Sequence, residues 1–454
     1  MMADAMPAAA SRRRRNGVAV SAARKRANRP PVTKAERGVV AFFRRAGGAG
    51  GRVAIGARPV YAESPVTGWT PSQQIDTGGS GAINARKVHR QRIFDVVRKF
   101  GPISRAELAK RTRLSPPTVS AVVDDLVKGV HLLREVGTGT AQRGRPPVML
   151  SSNAEYGLVI GVDIGSQTLR VALSDLDGHV IERHREKTQS DSREGALEQI
   201  EDVIERVFRQ SNRDITKLFA IGVGAPGMTN VTEGRVIEAA HIRGWVDVPL
   251  RDRLQERFNA PACVDNDANM AALGERWKGI AREVDDFVFL AVGAGVGAGI
   301  VVGGRLHRGH RWYAGEIGRM NLDRRQWQVD YGQSGYLEQH LGMTGTDGWK
   351  AVFDSAARGE VSAVTMVEEL AVVLGTAVAN TTTILDPALV IFGGGLSHAG
   401  TLLIEPVRRV VARIVPNVPA IKLSALGDDA QLMGAVYSAL ELADARLFDL
   451  AGGT

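Results

Sequence analysis

Two runs in the chain carry side chains whose types and spacing can grip a nucleic acid. Ser115-Pro116-Pro117-Thr118-Val119-Ser120 gathers three hydroxyls at the start of an apolar-periodic segment. Arg143-Gly144-Arg145-Pro146 sets two guanidinium groups on a flat, extended backbone. Small hydroxyl side chains in the first turn of a helix can touch phosphates and base edges in a major groove. An extended Arg-Gly-Arg-Pro can lie in a minor groove, whose narrow A·T tracts attract arginine. Ser115, Thr118, Ser120, Arg143 and Arg145 are therefore the candidate DNA contacts.

These residues need a scaffold, and the flanking pattern supplies one. From Asn84 to Arg98 the apolar positions Val88, Ile93, Val96 and Val97 fall on one helical face while the opposite face is basic. Gly101 and Pro102 stop that helix. Ser104 with Glu107 three residues later reads as a capping box for a second helix through Lys110. Arg113-Leu114 makes a tight turn, and Ser115 caps a third helix expected to reach Lys128. Proline is acceptable in a first helical turn because its missing N–H would have had no partner there. Val119, Val122, Val123 and Leu126 face inward, which leaves Thr118, Ser120 and Ala121 outward. A strand over Leu132–Val136, a Gly-Thr-Gly-Thr turn and Val148-Met149-Leu150 complete a wing with Arg143 and Arg145 at its tip. Residues 84–150 are expected to form a winged helix-turn-helix. The competing picture is a three-helix packing unit with a solvated basic face, against which stands the order of turn, cap and wing tip.

Charge points the same way. Residues 1–83 hold 14 Lys/Arg against 4 Asp/Glu and residues 84–150 hold 14 against 5, whereas the whole chain is only +9. The remaining 304 positions therefore sum to −10. Such asymmetry indicates a nucleic-acid-binding part joined to an acidic body with another ligand. Runs such as Arg12-Arg13-Arg14-Arg15 among Ala, Gly, Pro and Ser cannot bury enough apolar surface to offset ordering entropy, so residues 1–83 are expected to be a disordered basic arm. No apolar core of signal-peptide length follows those arginines.

A single cysteine, Cys263, excludes an internal disulfide framework and any cluster of thiolate zinc ligands. Phe287 to Gly304 is the one stretch that raises a membrane question, and its alternating Gly293, Gly295, Gly297 and Gly299 fit a hairpin rather than a helix. The expectation is a cytoplasmic, nucleoid-associated protein with no membrane partner.

From Tyr156 the chain is long enough for a two-lobed α/β domain, placed at 155–446. Leu158-Val159-Ile160-Gly161-Val162-Asp163-Ile164-Gly165 reads as a buried strand entering a glycine turn, followed by a second strand from Leu169 and a third from Phe219. Strand, Asp-x-Gly turn, strand is similar to the first phosphate-binding hairpin of the actin-like ATPase and sugar-kinase architecture. The segment Val264-Asp265-Asn266-Asp267-Ala268-Asn269 resembles the Asn-Asp-Ala-Asn segment of the ROK family, which groups sugar-responsive repressors, unassigned reading frames and sugar kinases. Further stretches match that family in order along the chain: Gly222-Val223-Gly224-Ala225-Pro226-Gly227 before that segment, and after it the hairpin at Gly293–Gly304, Ala314-Gly315-Glu316-Ile317-Gly318, Gly335-Tyr336-Leu337-Glu338 and Ile391-Phe392-Gly393-Gly394-Gly395. With the helix-turn-helix in front, the resemblance is to the xylose-repressor-like branch.

The resemblance implies a sugar site at Asn266, Asp267, Glu316 and Glu338, residue types that can pair with specific hydroxyl edges of a sugar ring. In the family's kinases the carboxylate at the position of Asp267 is the general base. Two departures bear on activity. The kinase hairpin Asp-x-Gly-Gly-Thr-Lys is here Asp163-Ile164-Gly165-Ser166-Gln167-Thr168, so a side chain stands where backbone should approach phosphate and the lysine is gone. Ala294 also stands where a threonine is usual. The family's zinc ligands, one histidine and three cysteines, are replaced by Arg319, Val329, Tyr331 and Tyr336. No metal, no cofactor and no kinase activity are expected, with Asp267 a vestigial base and the loop held by packing, the two tyrosines being candidates. Arg319 in place of the histidine points to a ligand with an acidic group, such as a sugar phosphate or sugar acid. The expected function is that of a transcriptional repressor, a homodimer or homotetramer that binds operator DNA and is released by a sugar or sugar derivative. The rivals are an active sugar kinase with a DNA-binding appendage and an architectural DNA-binding protein whose second domain no longer binds ligand.

Overall fold

The computed structural model describes residues 81–139, 146–239, 242–293, 295–332, 335–341 and 346–450. Arg143, Arg145 and Ala294, and the arm as far as Ser80, lie outside the described residues. The first helix, α1 (Gly81–Phe100), begins three residues before the sequence reading placed it. It buries Arg90, Ile93, Phe94 and Val97, whereas Val88 is 60% exposed. This corrects the expected inward stripe. The packed face runs through positions 90, 93, 94 and 97, and Arg90 can occupy it because its guanidinium is ion-paired with Asp125.

A short strand, β1 (Ile103–Ser104), leads into α2 (Arg105–Thr112), whose N-terminus is capped by the Ser104 hydroxyl accepting from the Glu107 N–H. The Glu107 carboxylate itself is ion-paired with Arg111. Arg113 ends α2 in the left-handed region. Next comes α3 (Pro116–Asp124), capped by Ser115 with both prolines in its first turn, and it widens into a π turn over Asp125–Gly129 before reaching the expected end. Strands β2 (Leu133–Thr138) and β3 (Val148–Ser152) pair antiparallel, and β1 adds to the other edge of β3.

The body contains the same sheet plan twice. In the first lobe β4 (Leu158–Ile164), β5 (Thr168–Asp175) and β6 (Val180–Lys187) form an antiparallel meander. After α4 (Arg193–Ser211), β7 (Leu218–Ala225) lies parallel to β4. A side sheet of β8 (Met228–Asn230), β9 (Arg235–Glu238) and β10 (Val246–Val248) follows, then α5 (Leu250–Phe258). The parallel strand β11 (Ala262–Asn266) completes the order β11-β7-β4-β5-β6 and runs directly into α6 (Asp267–Trp277).

The second lobe repeats this with β12 (Phe287–Val292), β13 (Val296–Val302) and β14 (Arg305–Leu306) as the meander. Three helices follow, α7 (Tyr336–Leu341), α8 (Thr346–Ala357) and α9 (Val361–Leu385), and then β15 (Leu389–Gly394), α10 (Thr401–Ile414) and β16 (Ala420–Leu423). The order β16-β15-β12-β13-β14 is the first lobe's order with the same parallel and antiparallel pairings. The Phe287 to Gly304 stretch is the expected hairpin. A second segment, α9, is also long and apolar enough to cross a membrane, which the sequence reading missed. Its Leu370, Leu374 and Val378 are buried in the second lobe's core.

The last helix, α11 (Ala430–Leu450), returns to the first lobe and packs along α6. Glycines permit the contact: a Cβ on Gly434 would stand 1.7 Å from the Met270 carbonyl oxygen, and one on Gly274 2.1 Å from that of Ala430. A single buried cluster runs from Ile93, Phe94 and Val97 of α1 through Leu150 to Leu432, Val436 and Leu447 of α11. The N-terminal helices and the body thus share a core.

Candidate functional site

A cleft of about 290 Å³ opens between the lobes, with the N-terminus of α6 at its floor. Chain turns at the ends of β4, β11, β12 and β15 meet there, so residues far apart in sequence converge. Asn266, Asp267, Glu316, Arg319 and Glu338 all line it, as do Ser166 and Arg170.

The helix cap here is Asn266. Its Oδ1 accepts from the Ala268 and Asn269 N–H groups at 2.9 and 3.3 Å, and its amide donates to the Gly227 carbonyl at 2.9 Å. Much of the hydrogen-bonding capacity of this side chain therefore goes into fixing the floor, and less of it faces a ligand. Asp267 follows at the first helical position. One of its oxygens accepts from the Ala268 N–H at 2.7 Å, while the carboxyl borders the cleft. Burial pushes its pKa up to about 7; the Ala268 bond opposes the shift, and the charges of Asp163 and Glu316 add to it.

Asp163 is fully buried at the end of β4 and is paired with Arg170 of β5 at 2.8 Å. Its other oxygen has no partner among the described residues. Burial raises this carboxyl to about 6 even against the Arg170 charge. Arg170 also donates to the Asp428 carbonyl at 2.8 Å, which ties the first hairpin to the loop before α11. The turn at Gly165 is closed by its own N–H to the Thr168 carbonyl and held by the Thr188 hydroxyl. Ser166, next along this turn, borders the same cleft.

Opposite lies the second-lobe wall. Glu338 accepts from the Val296 N–H at 3.0 Å and the Gly335 N–H at 3.2 Å, so it joins the glycine hairpin to α7. A Cβ on Gly335 would stand 2.0 Å from the Gly318 carbonyl oxygen, which is why the chain has glycine there. Glu316 is raised above its ordinary pKa by burial and by Glu338, with Arg319 opposing. Arg319 donates to the Gly332 carbonyl at 3.2 Å and faces the Glu316 charge, so its guanidinium is engaged in holding the loop and balancing a wall carboxylate. With Glu238, Asp267, Glu316, Glu338 and Asp428 on the lining against Arg170 and Arg319, an anionic ligand would meet more negative than positive charge.

Of the four positions that the resemblance matches to zinc ligands, Tyr331 and Tyr336 carry rings that pack within the loop. Tyr331 and Tyr336 meet edge to face at 5.7 Å, Tyr336 stacks on His340 at 3.8 Å, and the Tyr331 hydroxyl donates to Gln326 at 3.0 Å. Leu337 and Ala377 bury the inner side. Among the described residues no group of three His, Cys, Asp or Glu side chains could hold a metal ion.

Two ion pairs escaped the sequence reading. Asp265 is buried beneath the floor, where it accepts from Asn269 at 2.8 Å and from Arg308 of the second lobe at 2.7 Å. Arg98 of α1 donates to Asp444 of α11 at 2.7 Å and bonds the Leu176 carbonyl, with Asp177 at 3.6 Å. Asp265 is the neighbour of Asn266 in the Asn-Asp-Ala-Asn motif, whereas Arg98 and Asp444 carry no local signal.

Of the proposed DNA contacts, Ser115 is exposed at the start of α3 and shares a 2.7 Å hydrogen bond with the Thr118 hydroxyl. Ser120 is half-buried, and its hydroxyl accepts from Arg105 at 3.3 Å.

The body is an α/β two-lobed fold of the sugar-kinase type, and the ROK family model matches residues 159–441. The chain belongs to the ROK family. It is 32% identical to the xylose repressor of Caldicellulosiruptor bescii over 68% of this chain and 83% of that protein. It is also 32% identical to a glucokinase of Halalkalibacterium halodurans, over 61% of this chain and 92% of the enzyme. Among solved structures, a ROK family transcriptional regulator, homolog of the E. coli MLC protein, matches 81% of this chain and 99% of its own with a TM-score of 0.68 at 23% identity, a likeness of fold.

Proposed function

We propose that this protein is a sugar-responsive transcriptional regulator, a repressor whose winged helix-turn-helix (α1 to β3) binds operator DNA and is released when a sugar enters the interlobe cleft. The observation that carries the reading is physical continuity between the two parts. Asp267 heads α6, α6 packs glycine to glycine on α11, and Asp444 of α11 holds Arg98 of α1. A sugar that binds one lobe arrangement more tightly shifts the placement of the helical unit, and by linkage operator DNA weakens sugar binding by the same factor. The repressor relatives support this, since their match extends over more of the chain than that of the glucokinases.

The effector is a neutral sugar. Arg319, which as a sequence position pointed to an acidic ligand, is committed to Gly332 and Glu316, and the surrounding wall is acidic. The protein acts as a cytoplasmic homodimer or homotetramer, because two half-sites about one helical turn apart multiply modest affinities.

One observation favours catalysis as a second reading: a carboxyl pushed to about 7 at Asp267 is matched to general-base work. Ser166, Gln167 and Thr168 in the phosphate hairpin count against it. The deciding experiment is fluorescence anisotropy of the protein on its own upstream DNA with a panel of sugars, beside a coupled assay of ATP consumption. Specific binding released by one sugar, with no turnover, supports the repressor. Turnover with any hexose transfers the function to the kinases.

A further inference from the structure

The outward surface of α3 is short of the groups that usually read bases. From its cap to its last residue the outward positions are Ser115, Pro116, Pro117 and Ala121, exposed, and Thr118, Ser120 and Asp124, half-buried, with no amide or guanidinium among them. The polar members are already engaged. Ser115 and Thr118 bond each other, Arg105 reaches both Ser120 and Asp124, and Lys128 lies 3.7 Å from Asp124. Pro117 and Ala121, one helical turn apart on one stripe, are exposed and carry only carbon. Bidentate hydrogen bonding to guanine or adenine needs arginine, lysine, asparagine or glutamine, whereas small apolar side chains contact the 5-methyl group of thymine.

Resting on the DNA-binding reading, we infer that α3 specifies its operator through thymine methyl groups, with Ala121 as the principal contact and Pro117 beside it. The short helix suits the role. Small side chains let its backbone sit close to the groove floor, where a methyl projects, and Arg113 is exposed at the preceding turn with no partner among the described residues, placed to hold a phosphate. Specificity is then graded by methyl position, and a pyrimidine lacking the methyl is read as a loss of contact.

The test starts from a pool of randomised 40-base-pair duplexes selected on the full-length protein. The enriched pool is copied once with dTTP and once with dUTP, which deletes every thymine methyl and leaves base pairing intact. Burying one methyl contributes about fourfold in affinity, so one methyl in each of two half-sites predicts roughly 15-fold weaker binding of the uracil pool. Ala121→Gly is measured on both pools, and the expected result is that it loses affinity on thymine DNA and loses little more on uracil DNA. Equal binding of the two pools by the unaltered protein overturns the inference while leaving the DNA-binding reading in place. A thymine preference undiminished in Ala121→Gly also overturns it, since the methyl is then read elsewhere or through duplex shape. Failure of any sequence to enrich sinks the DNA-binding reading and this inference together.

Discussion

Asp267 combines two properties that seldom coexist: it borders an open cleft, and its carboxyl is surrounded by protein and by other carboxyls. A sugar hydroxyl donating to it favours the ionised form, which is the stronger acceptor. Sugar binding should therefore release protons around pH 7 and weaken as the pH falls to 6, measurable by calorimetry in buffers of different ionisation enthalpy. Asp267→Asn should lose this pH dependence and about 10- to 100-fold in affinity, the range for a hydrogen bond to a charged group. A variant that kept both would remove Asp267 from the site. Stability follows the opposite sign. Asp163 and Asp267 have folded pKa values raised to about 6 and about 7 from an ordinary value of 3.8, so the folded state holds protons that the unfolded chain releases. Their contribution is fully present below pH 3.8 and is lost as the pH rises through 7. Thermal unfolding of the sugar-free protein should thus show a melting temperature that falls between pH 6 and pH 8, with a smaller fall in Asp267→Asn.

At the scale of elements, the pairing of α6 with α11 and of α11 with α1 makes one connected frame. Gly434→Ala forces a methyl against the Met270 carbonyl, which neither helix can yield without separating. Overpacking of this kind costs roughly 1–3 kcal/mol, and urea unfolding should show it as a lower midpoint at unchanged slope. Arg98→Ala acts on the next joint. It leaves sugar affinity intact, because Arg98 does not line the cleft, yet it should reduce the ability of sugar to displace DNA. Anisotropy titrations with and without sugar separate those two effects. Persistence of full release in Arg98→Ala would mean that coupling runs through the shared apolar core instead.

For the molecule as a whole, the proposed DNA binding should follow the charge division. Fourteen basic residues precede position 84, against an acidic body. Deleting residues 1–80 should flatten the dependence of DNA affinity on salt, since fewer counterions are displaced, while the preference for one sequence over another persists. An unchanged salt slope would show that the arm does not touch DNA.

The local devices were legible in the sequence because each is written within a few neighbouring residues. Ser104 and Ser115 cap their helices, and Gly165 turns a hairpin, as Gly293 and Gly295 do. A cap or a turn is decided by the chemistry of three or four adjacent positions, so the family motifs and the two-lobed plan could be read directly. What only the tertiary structure decided depends on partners far away along the chain. Val88 looked inward by periodicity, yet Arg90 takes the packed face because Asp125 waits there. Arg319 stands in its motif as a bare cation, and only the fold brings the Gly332 carbonyl to it at 3.2 Å. Arg98 meets Asp444 across 346 positions, and Asp265 meets Arg308 across the lobes. An ionic group announces its charge in the sequence, but the partner that fixes its role is chosen by the folding of the whole chain.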